Sequence, residues 1–122
     1  MRTMNDIFLE SVRRFSGRPA IIDGERTLTY TELGEAVGSL ATFLASRGVG
    51  KGDKVAILLP NSAEFAAAFF ASALRGAVSV PINNLCKEDE IRFYVTDSGA
   101  RVLLTDAALK ETAERAVSES GA

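Results

Sequence analysis

The chain has 122 residues, 47% apolar and 25% charged, with a formal charge of −2 and no histidine. That length suits one domain with a real core, the charge balance leaves no basic stripe for nucleic acid, and the lack of histidine removes the commonest general base and most metal-site patterns. The single cysteine, Cys86, excludes an internal disulfide and fits a reducing, cytoplasmic setting, while no apolar run approaches the roughly 20 residues of a membrane span.

The opening "MRTMNDIF" has no continuous apolar stretch of the signal-peptide kind. Thr3 with Asp6 resembles a capping box, with Asp in place of the usual Glu or Gln. Phe8, Ser11, Val12 and Phe15 then share one helical stripe, which Gly17 and Pro19 end. "AIID" and "RTLTY", separated by Gly24 and Glu25, read as two strands of a hairpin. Asp23 is a turn residue before Gly24. "TELGEAVGSLATFLASRG" is the clearest helix, with Leu33, Ala36, Val37, Leu40 and Leu44 on one face. "KVAILL" is a continuous apolar run, as a strand covered on both faces requires. "NSAEFAAAFFASALRG" is a helix, "AVSVPI" a strand, "KEDEIRFYVTDSG" a helix, "RVLLT" a strand and "DAALKETAERAVSES" a last helix. After residue 31 the order is α-β-α-β-α-β-α. It predicts an α/β fold with a layered, mostly parallel sheet, flanking helices and right-handed crossovers, the early hairpin lying at an edge or on a flank. No repeat and no internal linker interrupts residues 1–122, which read as one unit.

The stretch "GVGKGDKVAILLPNSAEF" (48–65) holds three glycines and two lysines ahead of a strand. A phosphate loop follows a strand and opens a helix, because helix-start N–H groups must face the anion. Here the glycines follow a helix and precede a strand, and their spacing fits neither dinucleotide nor P-loop patterns. Gly48 after Arg47 is a helix C-terminus signal, repeated at Arg75-Gly76 and, without the charge, at Ser98-Gly99. Gly48, Gly50 and Gly52 therefore read as a turn, with Lys51, Asp53 and Lys54 solvated. A small nucleotide-binding α/β protein is disfavoured on the same ground.

The carboxyl end of that strand, "LLPNSAEF", is where open α/β sheets bind ligands. Asn61 with Glu64 three residues on also reads as a helix cap, entered through Pro60, and capping is the preferred reading because every helix start needs one. Cys86 has no histidine partner and reads as a buried or incidental thiol. Glu88, Asp89 and Glu90 sit at a helix start, where carboxylates complement the dipole. Tyr30 and Tyr94 read as half-buried packing groups. The acidic strand-end arrangement of a phosphorelay receiver is missing.

Four stretches in order resemble the start of the adenylate-forming enzyme superfamily, which includes acyl- and aryl-CoA synthetases, luciferases and peptide-synthetase adenylation domains: "LTYTEL" (28–33), "GVGKGDKVAILLPNSAEF" (48–65), "AFFASALRGAVSVPIN" (68–83) and "EIRFYVTDSGARVLLTD" (90–106). The resemblance is nearest to fatty-acid and acyl-CoA synthetases and covers essentially the whole chain. It implies a parent that couples a carboxylate to ATP, with magnesium, as an acyl-adenylate and passes the acyl group to coenzyme A. It also implies a much longer protein. The family's Ser/Thr/Gly-rich phosphate loop, ribose-binding aspartate, hinge and C-terminal lysine match nothing in these residues, so no catalytic, cofactor-binding or metal residue is assigned. The expected role is an inactive N-terminal scaffold piece.

The helix from Ser62 to Arg75 points the same way. Phe65, Phe69, Phe70 and Leu74 occupy one side and alanines fill most of the rest. A helix apolar nearly all round is buried on more than one side. The partner expected for it is the remainder of the parent or, in a second reading of the chain as a truncated interaction module, a docked protein or a second copy held through residues 62–75.

Overall fold

The computed structural model describes residues 4–23, 26–60 and 62–118. In chain order the elements are α1 (Met4–Arg14), β1 (Pro19–Asp23), β2 (Arg26–Thr29), α2 (Tyr30–Ser46), β3 (Lys54–Leu58), α3 (Ala63–Leu74), β4 (Val78–Pro81), α4 (Glu88–Ser98), β5 (Val102–Thr105), a 3₁₀ turn (Ala107–Leu109) and α5 (Lys110–Val117). Strands β4, β3 and β5 form a parallel sheet in the order β4-β3-β5. β1 and β2 form a separate antiparallel hairpin on its flank. The predicted α/β class, parallel pairing and flanking hairpin are all present. The Thr3 cap, the Gly24-Glu25 turn and Asn61 lie outside the described residues.

The central strand explains the layering. Val55, Ala56, Ile57 and Leu58 are each completely buried. Successive strand side chains point to opposite faces, so the run feeds two cores. Val55, Ile57 and Leu59 join Leu33, Val37, Leu44, Ala67, Ala68 and Ala71 on the α1–α2–α3 side. Ala56 and Leu58 join Ile91, Val95, Ala113 and Ala116 on the α4–α5 side. The register agrees: Val55 and Ile57 pair with Val102 and Leu104, which lie against the first core, and Ala56 pairs with Leu103, which lies against the second.

α2 begins with a capping box at Thr29. The Thr29 hydroxyl accepts from the Glu32 N–H at 3.2 Å and the Glu32 carboxylate accepts from the Thr29 N–H at 3.0 Å. Tyr30 therefore opens the helix instead of closing the hairpin strand. Of the predicted α2 stripe, Leu33, Val37 and Leu44 are buried and Leu40 is half-buried, but Ala36 is exposed. The buried face runs instead through Ala41, which lies against the first core.

α3 keeps only Glu64 exposed among its residues. Its small face, Ala67, Ala68, Ala71 and Ser72, is buried, and the Ser72 hydroxyl donates to the Ala68 carbonyl at 2.8 Å. The chain itself supplies its cover. α2 lies along it, and Phe8 of α1 stacks on Phe70 with ring centroids 4.4 Å apart. Large apolar side chains stand exposed elsewhere: Phe43, Val78, Leu85, Phe93, Tyr94 and, on the hairpin, Ile22.

The glycine segment is a turn, as its order in the chain implies. Gly48 follows the α2 C-cap in the left-handed region at φ 79°. Asp53 is not merely solvated: its carboxylate accepts from the Gly50 N–H at 2.8 Å and lies 3.4 Å from the Arg101 guanidinium. Gly76 adopts φ 71°, and a Cβ there would sit 3.3 Å from the Lys51 Cα. Backbone crowding adds to the cost of about 1–2 kcal/mol for a side chain in the left-handed region. Gly76→Ala is thus expected to lose at least about 1–2 kcal/mol in urea denaturation, whereas Gly17→Ala, with open space around the position, changes stability by no more than about 0.5 kcal/mol.

Candidate functional site

The place to look in an open parallel sheet is beyond the carboxyl ends of its strands. Here that rim is formed by Leu59, Pro60 and Ser62 after β3, Ile82–Asn84 after β4 and Asp106 after β5. Ser62, Asn83, Thr105 and Asp106 there each have a local structural task. The Ser62 hydroxyl caps α3, accepting from the Phe65 N–H at 3.2 Å, and donates to the Pro60 carbonyl at 2.9 Å. Ser62 therefore does the work expected of Asn61, one position later. The Asn83 side chain accepts from the Leu85 N–H at 2.8 Å. The Asp106 carboxylate accepts from the Leu109 N–H at 3.1 Å and starts the 3₁₀ turn. Thr105 Oγ1 donates to the Leu58 carbonyl at 2.9 Å, tying β5 to β3 at the rim.

Glu64 is the rim residue whose partner no local pattern foretold. Its carboxylate takes a 2.6 Å hydrogen bond from the Arg26 guanidinium, fastening α3 to the hairpin. That bond, with help from its own backbone N–H, holds the Glu64 carboxyl below the usual carboxylate range. A base paired in this way is a weak proton acceptor.

The remaining sequence candidates scatter. The Gly48–Asp53 turn lies at the amino end of β3, opposite the rim. Cys86 is half-buried against the second core. Asp23 closes β1, its backbone paired with Arg26. Tyr30 is half-buried near Phe15, but Tyr94 is 45% exposed, against expectation. Glu88, Asp89 and Glu90 do open α4, and the Glu90 carboxylate accepts from the Lys87 N–H at 3.1 Å. Glu88 also reaches Arg92 at 3.1 Å and Arg115 of α5 at 2.6 Å. The Arg115 bond lowers the Glu88 carboxyl and raises the Arg115 guanidinium. Among the described residues no group of three or more His, Cys, Asp or Glu side chains gathers as metal ligands do, and no helix is long and apolar enough to cross a membrane.

The outer edges of β4 and β5 pair with no further strand among the described residues. A groove of 680 Å³ runs beside β5, between the end of α2 and α5, lined by Phe43, Arg47, Val102, Leu103, Ala113 and Val117 among others. It lies along a strand edge and reaches the rim at Thr105.

Comparison with known proteins gives these features a setting. The family described as AMP-binding enzyme matches residues 8–121. The long-chain-fatty-acid–CoA ligase FadD13 of Mycobacterium tuberculosis is 40% identical over 80 residues, covering 66% of this chain and 16% of that ligase. The probable CoA ligase CCL9 of Humulus lupulus is 36% identical over 118 residues, covering 96% of this chain and 22% of the ligase. In three dimensions the N-terminal domain of FACL13 from Mycobacterium tuberculosis superposes with a TM-score of 0.83 at 30% identity, over 92% of this chain and 29% of that one. The chain thus spans less than a third of each of these relatives.

Three carboxylates with lowered pKa give an acid-side test. Glu64 is held down first by Arg26, Glu88 first by Arg115 and Glu32 first by the Thr29 N–H. In the unfolded chain each titrates near 4.5, so their stabilisation is complete above that pH and is lost as pH falls through the lower folded values. Melting temperature is expected to hold from neutral pH to about 5 and to fall below it. Glu64→Gln removes part of that acid slope and costs about 0–1 kcal/mol at neutral pH, because the pair is half-exposed. NMR titration of Glu64 in Arg26→Ala should show its carboxyl rising toward the ordinary range.

Proposed function

The chain belongs to the AMP-binding enzyme family, and we propose that it is the N-terminal scaffold of an ATP-dependent acid–CoA ligase. The parent reaction on this reading joins a carboxylate to ATP as an acyl-adenylate with loss of pyrophosphate, then moves the acyl group to the thiol of coenzyme A. Magnesium accompanies the ATP, and the setting is cytoplasmic. Residues 1–122 form one unit of the parent's large N-terminal domain. The partner is the rest of that parent.

One observation carries the proposal: the match runs from residue 8 to residue 121 while the chain spans only 16% and 22% of the two CoA ligases compared. The rim supports it. A nucleotide needs unspent N–H groups, cations near its phosphates and a metal-binding carboxylate. Ser62 and Asp106 are committed to helix starts, Asn83 to a turn and Glu64 to Arg26. These four side chains do not fit ATP, and no chemical step is routed through them. Their work is positional: caps and ion pairs fix the strand ends and the first turn of α3.

The reading as an interaction module that docks through residues 62–75 has less in its favour. α1 and α2 already cover most of that helix. What it still offers is the half-buried set Phe65, Ala66, Phe69 and Ala73.

The test is ATP–pyrophosphate exchange in the presence of a fatty acid. The 122-residue chain alone is expected to give none. A hybrid in which this chain replaces the matching segment of FadD13 is expected to regain exchange. Turnover by the chain alone, or a correctly folded hybrid with none, contradicts the scaffold role.

A further inference from the structure

We infer that α1 is a strap that lifts off α2 and α3 as a unit, pivoting ahead of Ser16, while the sheet and the other helices stay folded. The inference stands whatever reaction the parent protein catalyses.

The strap is held at few points. It packs on α2 and α3. Of the side chains at residues 6–14 only Phe8 is buried, stacked on Phe70 with ring centroids 4.4 Å apart. Val12 is half-buried against the first core, and Ile7 and Leu9 are 53% and 52% exposed. Between α1 and α2 runs an apolar cleft of 300 Å³, lined by Phe8, Leu9, Val12, Gly34, Gly38 and Leu74 among others. Side chains facing a void lose the contacts that packing would give them. An isolated helix of 11 residues is marginal in water, so α1 depends on this docking for its fold. The contrast is with β3, where Val55, Ala56, Ile57 and Leu58 have no exposed surface.

Hydrogen bonds fix the foot of the strap. The Ser16 carbonyl accepts from the Thr31 N–H and from Thr31 Oγ1, each at 3.0 Å, and the Arg18 carbonyl accepts from the Tyr30 N–H at 3.0 Å. These bonds tie the segment after α1 to the first turn of α2, which the Thr29 capping box holds in turn. The Phe15 N–H donates to the Ser11 carbonyl at 2.9 Å and so still belongs to the helix. The pivot therefore falls between Phe15 and Ser16.

One contact separates a strap from an integral part of the core. Val12 sits so close over Gly34 that a Cβ there would lie 3.0 Å from Val12 Cγ1 and 3.4 Å from Cγ2. Valine is restricted at χ1 in a helix, so relief comes from α1 moving outward. Alanine is meanwhile the better helix former, so α2 itself gains from the same substitution. Gly38, one turn further on, faces open space. Lifting α1 uncovers Phe70 and opens the cleft at Leu74. Phe70 meets Phe69 edge-on at 5.6 Å, so its exposure adds to the half-buried Phe65 and Phe69 of the same helix.

The experiment is native-state amide hydrogen exchange on the 122-residue chain and on its Gly34→Ala and Gly38→Ala variants. In the unsubstituted chain the amides of residues 8–14 exchange at least about tenfold faster than those of Val55, Ala56, Ile57 and Leu58, through an opening that low concentrations of urea accelerate less. Gly34→Ala speeds residues 8–14 by about tenfold or more, as a mild overpacking does. It leaves the β3 amides unchanged or slower, and it raises the binding of an apolar dye. Gly38→Ala speeds neither set. Equal acceleration of both sets in Gly34→Ala, loss of its fold, or no acceleration of residues 8–14 overturns the strap. So does exchange of the two sets at one rate in the unsubstituted chain.

Discussion

One fully buried strand dictates the rest of this molecule. Val55 to Leu58 of β3 have no exposed surface, and burying each Val, Ile or Leu there is favourable by roughly 1.5–3 kcal/mol. A strand can hide both faces and both edges only if helices cover the faces and other strands take the edges. Alternation then divides its side chains between two cores, and the chain must cross the sheet twice to build them. α3 goes to one face and α4 to the other, which places β4 and β5 on opposite sides of β3. The hairpin and α1 close the first core from outside, with Phe8 stacked on Phe70.

The same economy explains why the rim is poor in chemistry. A helix start exposes N–H groups that bind either an anion or a cap. In α3 and the 3₁₀ turn the cap takes that place, through Ser62 and Asp106. The carboxylates with the clearest lowering are tied to arginines or to a backbone N–H. The Arg26–Glu64 and Arg115–Glu88 bonds join elements distant in sequence: hairpin to α3, and α4 to α5. They stiffen a frame.

Much of this was legible before any coordinates. Period and punctuation marked every helix and strand, because Gly48, Gly76 and Gly99 each end a helix at positive φ and "KVAILL" reads as a strand with two covered faces. The order of glycines and strand argued against a phosphate loop. What failed was local in one sense and distant in another. Asn61 and Ser62 are both good caps, and spacing to Glu64 favoured the wrong one of two neighbours. Ala36 falls within the apolar stripe of α2, but α2 leans so that Ala41 takes the inner position. Tyr94 lies outside because α4 buries only the Ile91–Val95 side. The Arg26–Glu64 and Glu88–Arg115 pairs join residues far apart in the chain, for which a single sequence carries no signal. The apolar excess of α3 was visible, yet α1 and α2 of the chain itself cover much of it.

The scaffold reading stands or falls on whether these residues hold a nucleotide unaided. Titration of the 122-residue chain with ATP and magnesium in a calorimeter asks that directly. A frame whose Ser62, Glu64, Asn83 and Asp106 are engaged within the chain gives no saturable heat up to millimolar ATP. Saturable binding at micromolar ATP would show a nucleotide site within these residues and contradict it.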